Sequence, residues 1–337
     1  MADTVGPAGP TSRPPRILIT TCMKNEGPFI LDWIAHHRAI GVTDFLVFTN
    51  DCTDGTDHLL TRLEERGLLR HLPNPAKLLP GFVPLQPAAH HYTMAMLPYL
   101  CPDYVIATDV DEYINIHAGG GHLSDLFAAL PPFDVLSISE TNFGWNGHHH
   151  FEPQPVVERF TQSDGQIPRP RFRRRGVKSI LRTGAPITLK NHRPLADPAS
   201  APTLRWFDGS GRPVSPDFII SEDNGYDCRG CYDLVQLNHY ATRDLESFVV
   251  KSDRGDVVSP DHHVGRRYWR VRNIEGEEDI TILRLNESVA KERMMLLSDQ
   301  ATADLHARAI AAHRAKIAEL RTREDLQLLW ALGDKSS

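Results

Sequence analysis

Cysteine is scarce and odd in number: Cys22, Cys52, Cys101, Cys228 and Cys231 are the only five in 337 residues. That excludes the paired framework of a small secreted domain and fits the reducing cytoplasm. Cys228 and Cys231 form one Cys-x-x-Cys with no matching second pair, too little for a zinc site. No run of about 18 apolar residues occurs, so no spanning helix is expected. The first fifteen residues, MADTVGPAGPTSRPP, lack an apolar stretch and read as a disordered tail, not a signal peptide. A net charge of −6 argues against a general nucleic-acid binder. Neither a Gly-x-Gly-x-x-Gly turn nor a Walker loop is present, which removes the usual dinucleotide and phosphate-cradling signatures.

What remains is ordinary globular composition, 41% hydrophobic and 24% charged, in a chain long enough for one large domain with an appendage. The stretch that organises it is Tyr104–Ile116, YVIATDVDEYINI. An apolar strand runs into Asp109, Asp111 and Glu112, and then into a second apolar alternation. Carboxylates at the end of a core strand cost several kcal/mol unless paired, and a divalent cation is the compact partner for Asp-x-Asp. A metal site at the carboxyl end of a strand is the expectation, in the place where open α/β sheets hold their ligands.

The upstream half supports such a sheet. Arg16–Met23 reads as a buried strand and is followed by a polar turn at Lys24–Pro28. A helix then shows Ile30, Trp33, Ile34 and His37 at helical spacing and stops at Gly41. Asp44–Thr49 is the second strand, 50–56 the next polar loop, and Leu59, Leu60 and Leu63 face a second helix that Gly67 ends. Strand, helix, strand, helix with polar loops implies a parallel, doubly wound sheet with right-handed crossovers. Its carboxyl edge gathers Lys24, Asn25, Glu26, Asn50, Asp51 and Asp54, suited to the donors of a base and ribose. Asp54 equally suits a helix cap. Residues 71–89 read as irregular and Pro-rich, with His90 and His91 opening a short helix.

In order, Thr20–Glu26 (TTCMKNE), the helix with Trp33 and His37, Thr49–Thr56 (TNDCTDGT) and Asp109–Tyr113 (DVDEY) resemble the family-2-like glycosyltransferases of GT-A fold, in the branch with a D-x-D-E motif. The resemblance spans about residues 16–255. It implies a nucleotide-sugar half over 16–116, an acceptor half over 117–255 and a mainly helical extension over 256–337. It further implies a nucleotide-sugar donor held by Thr21, Asn25, Glu26, Asn50, Asp51, Asp54 and Lys178, and a Mn or Mg cofactor. The acceptor would be a glycan or other hydroxyl compound, the transfer inverting, and the setting polysaccharide biosynthesis. His239 in LNHYATRDLESFVVKSDRG matches the late histidine with which such enzymes complete the metal shell of Asp109 and Asp111, and neutral imidazole suits Mn.

Downstream segments agree. Phe143–His148 (FGWNGH) is similar to a Phe-Gly-x-x-Gly-His segment of those proteins, with Trp145 either stacking on a sugar or anchoring the loop. The basic run Arg171–Ile180 reads either as a protected edge strand or as a phosphate contact through Lys178. Residues 184–232 read as long loops with a possible lid, and 286–333 as amphipathic helices whose mixed charges favour packing on the domain over pairing with a copy or lying on a membrane surface. The acceptor proton needs a carboxylate base: Glu140 first, with Glu158 and Glu112 behind it. Two other readings stand beside this one, sugar-phosphate nucleotidyl transfer and a non-catalytic nucleotide- or glycan-binding module.

Overall fold

The computed structural model describes residues 13–78, 80, 83–165, 174–221, 225–227, 231–255, 264–274 and 276–333. Arg171, Phe172, Arg173 and Cys228, and the tail before residue 13, lie outside them. Strand β1 (Ile17–Met23) is buried along its whole length, followed by α1 (Gly27–Ala39), β2 (Asp44–Thr49), α2 (Thr56–Glu65) and β3 (Arg70–Pro73). Next come α3 (Leu85–Leu100), β4 (Tyr104–Ala107), β5 (Glu112–Ile116), α4 (Leu123–Ala128) and β6 (Val135–Asn142). A short α5 (Val156–Arg159) and β7 (Gln162–Ser163) lead to β8 (Arg174–Arg182), and β9 (Ile187–Thr188) pairs with β10 (Leu195–Ala196) as a hairpin. Then β11 (Trp206–Asp208), α6 (Pro216–Ile220), β12 (Gly225–Asp227), β13 (Val235–His239) and α7 (Leu245–Arg254) complete the sheet region. The chain closes with α8 (Arg266–Arg272), β14 (Glu277–Glu278, paired with β7), α9 (Asn286–Leu297), α10 (Gln300–Arg321) and α11 (Gln327–Trp330).

The main sheet runs β3-β2-β1-β4-β8-β6-β13-β5. Its first four strands are parallel, β8 is antiparallel to both neighbours, and β13 is parallel to β6 but antiparallel to β5. This is the expected doubly wound, mostly parallel α/β sheet, followed by a helical C-terminal segment. Crossovers from β1 to β2 and from β2 to β3 through α1 and α2 bring the loops after β1, β2 and β4 to one edge. The Asp109–Glu112 turn sits there, between β4 and β5.

Several expectations are corrected. His90 and His91 do not open a helix: α3 begins at Leu85, inside the stretch read as irregular. Strand β8 is no edge strand but lies between β4 and β6, and Arg175 within it is buried against Asp164 at 2.5 Å rather than solvated. The region 184–232 holds the β9–β10 hairpin, β11 and α6 instead of loops alone. The C-terminal helices pack on the sheet domain: α9 and α10 lie against α1, and α10 also against α2 and α7. Contact is close enough that a Cβ on Gly27 would come within 2.6 Å of Ala309 Cβ, which explains a glycine at the first position of α1.

Helix α1 carries its histidines inward. His36 and His37 are 1% and 0% exposed and meet Tyr113, His36 edge-on and His37 stacked, with His36 Nδ1 and His37 Nε2 lacking partners among the described residues. Burial pushes His36 down to about 4, outweighing its bond to the Ile114 carbonyl. A folded-state value below the unfolded one of about 6.5 means the unfolded chain takes up the proton first. Stability is then full above about pH 6.5 and declines towards pH 4, by about 1.4 kcal/mol per unit for this group alone. Urea denaturation at pH 7.5 and pH 5 will show that loss, and His36→Asn will flatten the slope.

Candidate active site

The turn after β4 is fixed from several directions. Trp33 of α1 donates its indole N–H to the carbonyls of Asp109 (3.1 Å) and Glu112 (3.0 Å). The Tyr240 amide donates to the Asp111 carbonyl at 2.8 Å, and Arg243 reaches the Val110 carbonyl at 3.4 Å. The three acids therefore project from a held backbone into a cleft of about 1050 Å³. Glu26, His90, Asp109, Asp111, Glu112 and His239 line it, as do Lys251, Arg254, Tyr268 and Arg272.

Beneath the acids lies Lys178, 1% exposed in the middle of β8. Its ammonium meets Asp109 at 2.9 Å, Glu112 at 3.2 Å and the Asn191 side-chain oxygen at 2.6 Å. Burial would discharge a lysine, yet the two carboxylates raise its pKa above the ordinary value. Burial would likewise neutralise Asp109, and Lys178 keeps it ionised. Glu112 goes the other way: burial raises its carboxyl despite Lys178, and the charge of Asp109 pushes further. Its Oε2 accepts from the Asp109 amide (2.9 Å) and the Thr108 hydroxyl (3.1 Å).

Asp111 is held by Lys251 of α7 at 2.7 Å and approached by His239 Nε2 at 3.7 Å. Against the effect of burial, these two cations keep its carboxyl well below the usual range. The other imidazole nitrogen of His239 faces Glu140 at 3.2 Å, and Arg272 binds Glu140 at 2.6 Å and Asn142 at 2.9 Å. Although burial lowers His239, Asp111 and Glu140 lift it to about 10. Glu140 is held well below the carboxylate range because Arg272 and His239 outweigh its burial. Gly176 lies close beside it: a Cβ there would stand 3.2 Å from the carboxylate and push it by a few tenths of an ångström.

Among the described residues no three His, Cys, Asp or Glu side chains are placed to hold an ion as they stand. Asp111 and His239 are the residues that could hold one, and only after His239 gives up the proton that Asp111 and Glu140 keep on it; Glu140 would then orient the imidazole from behind as an outer-shell carboxylate does. Asp109, the third expected ligand, is turned to Lys178 and to Gln86 at 3.0 Å.

The remaining expectations scatter. Glu26 lines the cleft, but Arg243 (3.0 Å) and Arg254 (2.5 Å) occupy its carboxylate and keep it ionised in spite of burial. Arg243 does so from a left-handed backbone, φ 50°. Asn25 and Asp54 line a neighbouring cavity of about 490 Å³. Asn25 bonds Thr53 there, and Asp54 accepts from the amides of Thr56 (2.9 Å) and Gly27 (3.3 Å), a capping role. Thr21, Asn50 and Asp51 line neither cavity. Asp51 pairs with Lys77 at 2.7 Å on the surface, and the Thr21 hydroxyl is buried without a partner. Glu158, on α5, accepts from Asn286 at 3.1 Å and lies outside the cleft. Trp145 packs edge-on against Trp269, 5.5 Å between centroids, and anchors its loop. Sequence reasoning missed Gln86, His192, Tyr268 and Arg272; the spacing of Tyr268 and Arg272, one helical turn apart in RRYWRVR, was the available signal.

The family model for glycosyltransferase family 92 matches residues 19–201, more than half of the chain, and the chain belongs to that family. A family 92 protein of Ricinus communis is 25% identical over 153 residues, 44% of this chain and 26% of the relative. The chain thus spans about a quarter of the length of that curated relative. Among solved structures, S. aureus TarS is similar at 13% identity and TM-score 0.29 over 91% of each chain. The glucosyl-3-phosphoglycerate synthase of Mycobacterium tuberculosis is similar at 16% identity and TM-score 0.24, over 43% of this chain and 47% of that one.

Removing Lys178 leaves Glu112 buried without a counter-charge and Asp109, half-buried, with only the Gln86 amide. Lys178→Met is expected to cost about 3–5 kcal/mol, read by urea denaturation. Adding Glu112→Gln to it will recover part of the loss.

Proposed function

We propose that this member of glycosyltransferase family 92 transfers a sugar from a nucleoside-diphosphate sugar to a hydroxyl acceptor, inverting the anomeric centre. The observation that carries the reading is the cleft itself. Asp109, Asp111 and His239 line one cleft at the carboxyl edge of the sheet, with Lys251, Arg254 and Arg272 around them, which supports a diphosphate and its counter-cation there. The more specific likeness to the D-x-D-E branch of family-2-like enzymes belongs to this proposal, as do polysaccharide assembly and the cytoplasm.

Asp111 and His239, joined by Asp109 on turning from Lys178, would hold Mn or Mg. Bound there, the ion would supply Lewis-acid stabilisation of the departing diphosphate. Lys251 and Arg254, at the end of α7, bring cationic donors to the same side. The acceptor hydroxyl must lose its proton as it attacks, and Glu112 is the carboxylate best suited to take it. A raised pKa makes Glu112 a stronger base than its neighbours, and it stands in the cleft at the edge of the metal pair. Glu140, ranked first on sequence, is locked by Arg272 and His239 and held strongly acidic, which suits an orienting role. Glu158 is too far off to serve.

No observation favours nucleotidyl transfer, which would need a basic Gly-rich phosphate loop after β1. A binding module without catalysis would have little use for the raised Glu112.

Calorimetry with UDP, GDP, ADP, CDP and TDP, with and without Mn, tests the reading. One nucleotide will bind in a Mn-dependent way, and Asp111→Asn will abolish that dependence. If no nucleotide binds under either condition, the transferase assignment fails. Glu112→Gln is expected to lower kcat by about 10²–10⁴ while nucleotide affinity stays within a few-fold; equal loss of both would place Glu112 in binding instead.

A further inference from the structure

The last turn of α7 carries two of the cleft's cations, Lys251 and Arg254, three residues apart on one face. Their partners are close: Asp111 at 2.7 Å for Lys251, and Glu26 and the Lys24 carbonyl at 2.5 Å for Arg254. Asp253 stands about 200° around the helix from Lys251 and lines the smaller cavity, not the cleft. Its carboxylate is held by Lys316 of α10 at 3.0 Å and by Arg323 just beyond α10. At the first turn of α7, Glu246 accepts from Arg321 at 2.6 Å, and that turn has further supports. Asp244 caps it through the Ser247 amide at 2.8 Å, and the Phe151 amide donates to Glu246 at 2.7 Å. The last turn ends at Gly255, in the left-handed region at φ 78°. Among the described residues, the pairs of Asp253 with Lys316 and Arg323 are the ion pairs that fix it from outside the cleft.

We propose that Asp253 is a positioning residue for diphosphate recognition: tied to α10, it sets where the last turn of α7 presents Lys251 and Arg254. The inference rests on the donor reading above and extends it to the C-terminal helices, beyond the residues 19–201 of the family match. Helix α10 suits the task because it is fixed to the opposite wall of the cleft as well. Ala309 packs on Gly27, His306 meets the Pro28 carbonyl at 3.3 Å, and Arg62 of α2 pairs at 2.8 Å with Asp299, the residue that caps α10. Gly27 directly follows Glu26, so α10 spans from the residue beside Glu26 to the residue beside Arg254 and gauges the distance between them. Arg254 cannot adapt to a shift of its helix as a flexible lysine can. One of its guanidinium nitrogens is shared by the Glu26 carboxylate and the carbonyls of Lys24 and Asn25. Lys316 and Arg323 are themselves 36% and 40% exposed, and pairs of that kind add little to stability. Placement is the contribution left to them.

Calorimetry on the full chain, with the nucleoside diphosphate that the panel selects and with its bare nucleoside, tests this. Asp253→Asn is expected to weaken the diphosphate about five- to tenfold. The nucleoside, which offers α7 no phosphate, should stay within about twofold. Asp253→Glu, which keeps the charge, should recover part of the loss. The double variant Lys316→Met, Arg323→Met should match Asp253→Asn, and combining all three should cost no more. Arg321→Gln, which loosens only the first turn, should leave both affinities unchanged. Unchanged diphosphate affinity in Asp253→Asn overturns the proposal, and so do additive losses in the triple variant. An equal loss for nucleoside and diphosphate, or a loss as large in Arg321→Gln, overturns it too, since that is what a merely structural tie would give. The Lys316 and Arg323 variant, altered only at partly exposed side chains, carries the same test should Asp253→Asn not fold. Failure of the wild type to bind any nucleoside diphosphate has a different signature: it removes the donor reading, and the proposal with it.

Discussion

A single buried ammonium makes the rest of the site possible. Lys178 projects from the centre of the sheet under two carboxylates, and without it Asp109 and Glu112 would stand within a few ångströms of each other at the floor of the cleft. Uncompensated, such a pair would force one acid to protonate or the turn to open. With it, one acid stays charged and the other is raised but not extinguished. The sequence position of Lys178, in a strand antiparallel to both neighbours, puts its side chain at the carboxyl ends of the parallel strands.

A second layer of ion pairs ties that turn to distant parts of the chain. Glu26 after β1 is clamped by Arg243 and Arg254, which follow β13 and end α7. Glu140 on β6 is clamped by Arg272 on α8. These contacts bring residues 26, 111, 140, 239 and 272 into one connected network, and make α8 part of the cleft. The boundary expected near residue 255 therefore cuts through the site: Tyr268 and Arg272 belong to it as much as Asp111 does.

The sheet was legible because its signals are local. β-Branched runs end in polar loops, Pro28 begins a helix and Gly67 stops one, and each can be read within ten residues. Asp109 and Asp111 stood out in the sequence because carboxylates at an apolar strand end have few uses, and His239 through the resemblance alone; the structure brings all three to one cleft. Asn25, Asp51 and Asp54 illustrate the limit. As residue types at a sheet edge they suit a nucleoside, but backbone capping and a surface pair with Lys77 claim two of them. On the proposed reading Glu112 takes the place of Glu140 as the base, for a related reason. A carboxylate's basicity is set by its neighbours, and the neighbour that lowers Glu140 is an arginine 132 residues away in sequence.

On the proposed reading, charge complementarity bears on how the cleft would take a donor. Lys178, Lys251, Arg243, Arg254 and Arg272, with the raised His239, face Asp109, Asp111, Glu112, Glu26 and Glu140, so cations and carboxylates are interleaved. A divalent cation and a diphosphate arriving together would disturb that arrangement less than either alone. Lys251 is the residue best placed for the exchange: it satisfies Asp111, and its ammonium would be free for phosphate oxygens if Asp111 held a cation instead. A flexible, compact charge suits this better than the rigid fork of an arginine, and Tyr268, whose ring lies 5.2 Å from the ammonium, gives it an apolar wall on which to move.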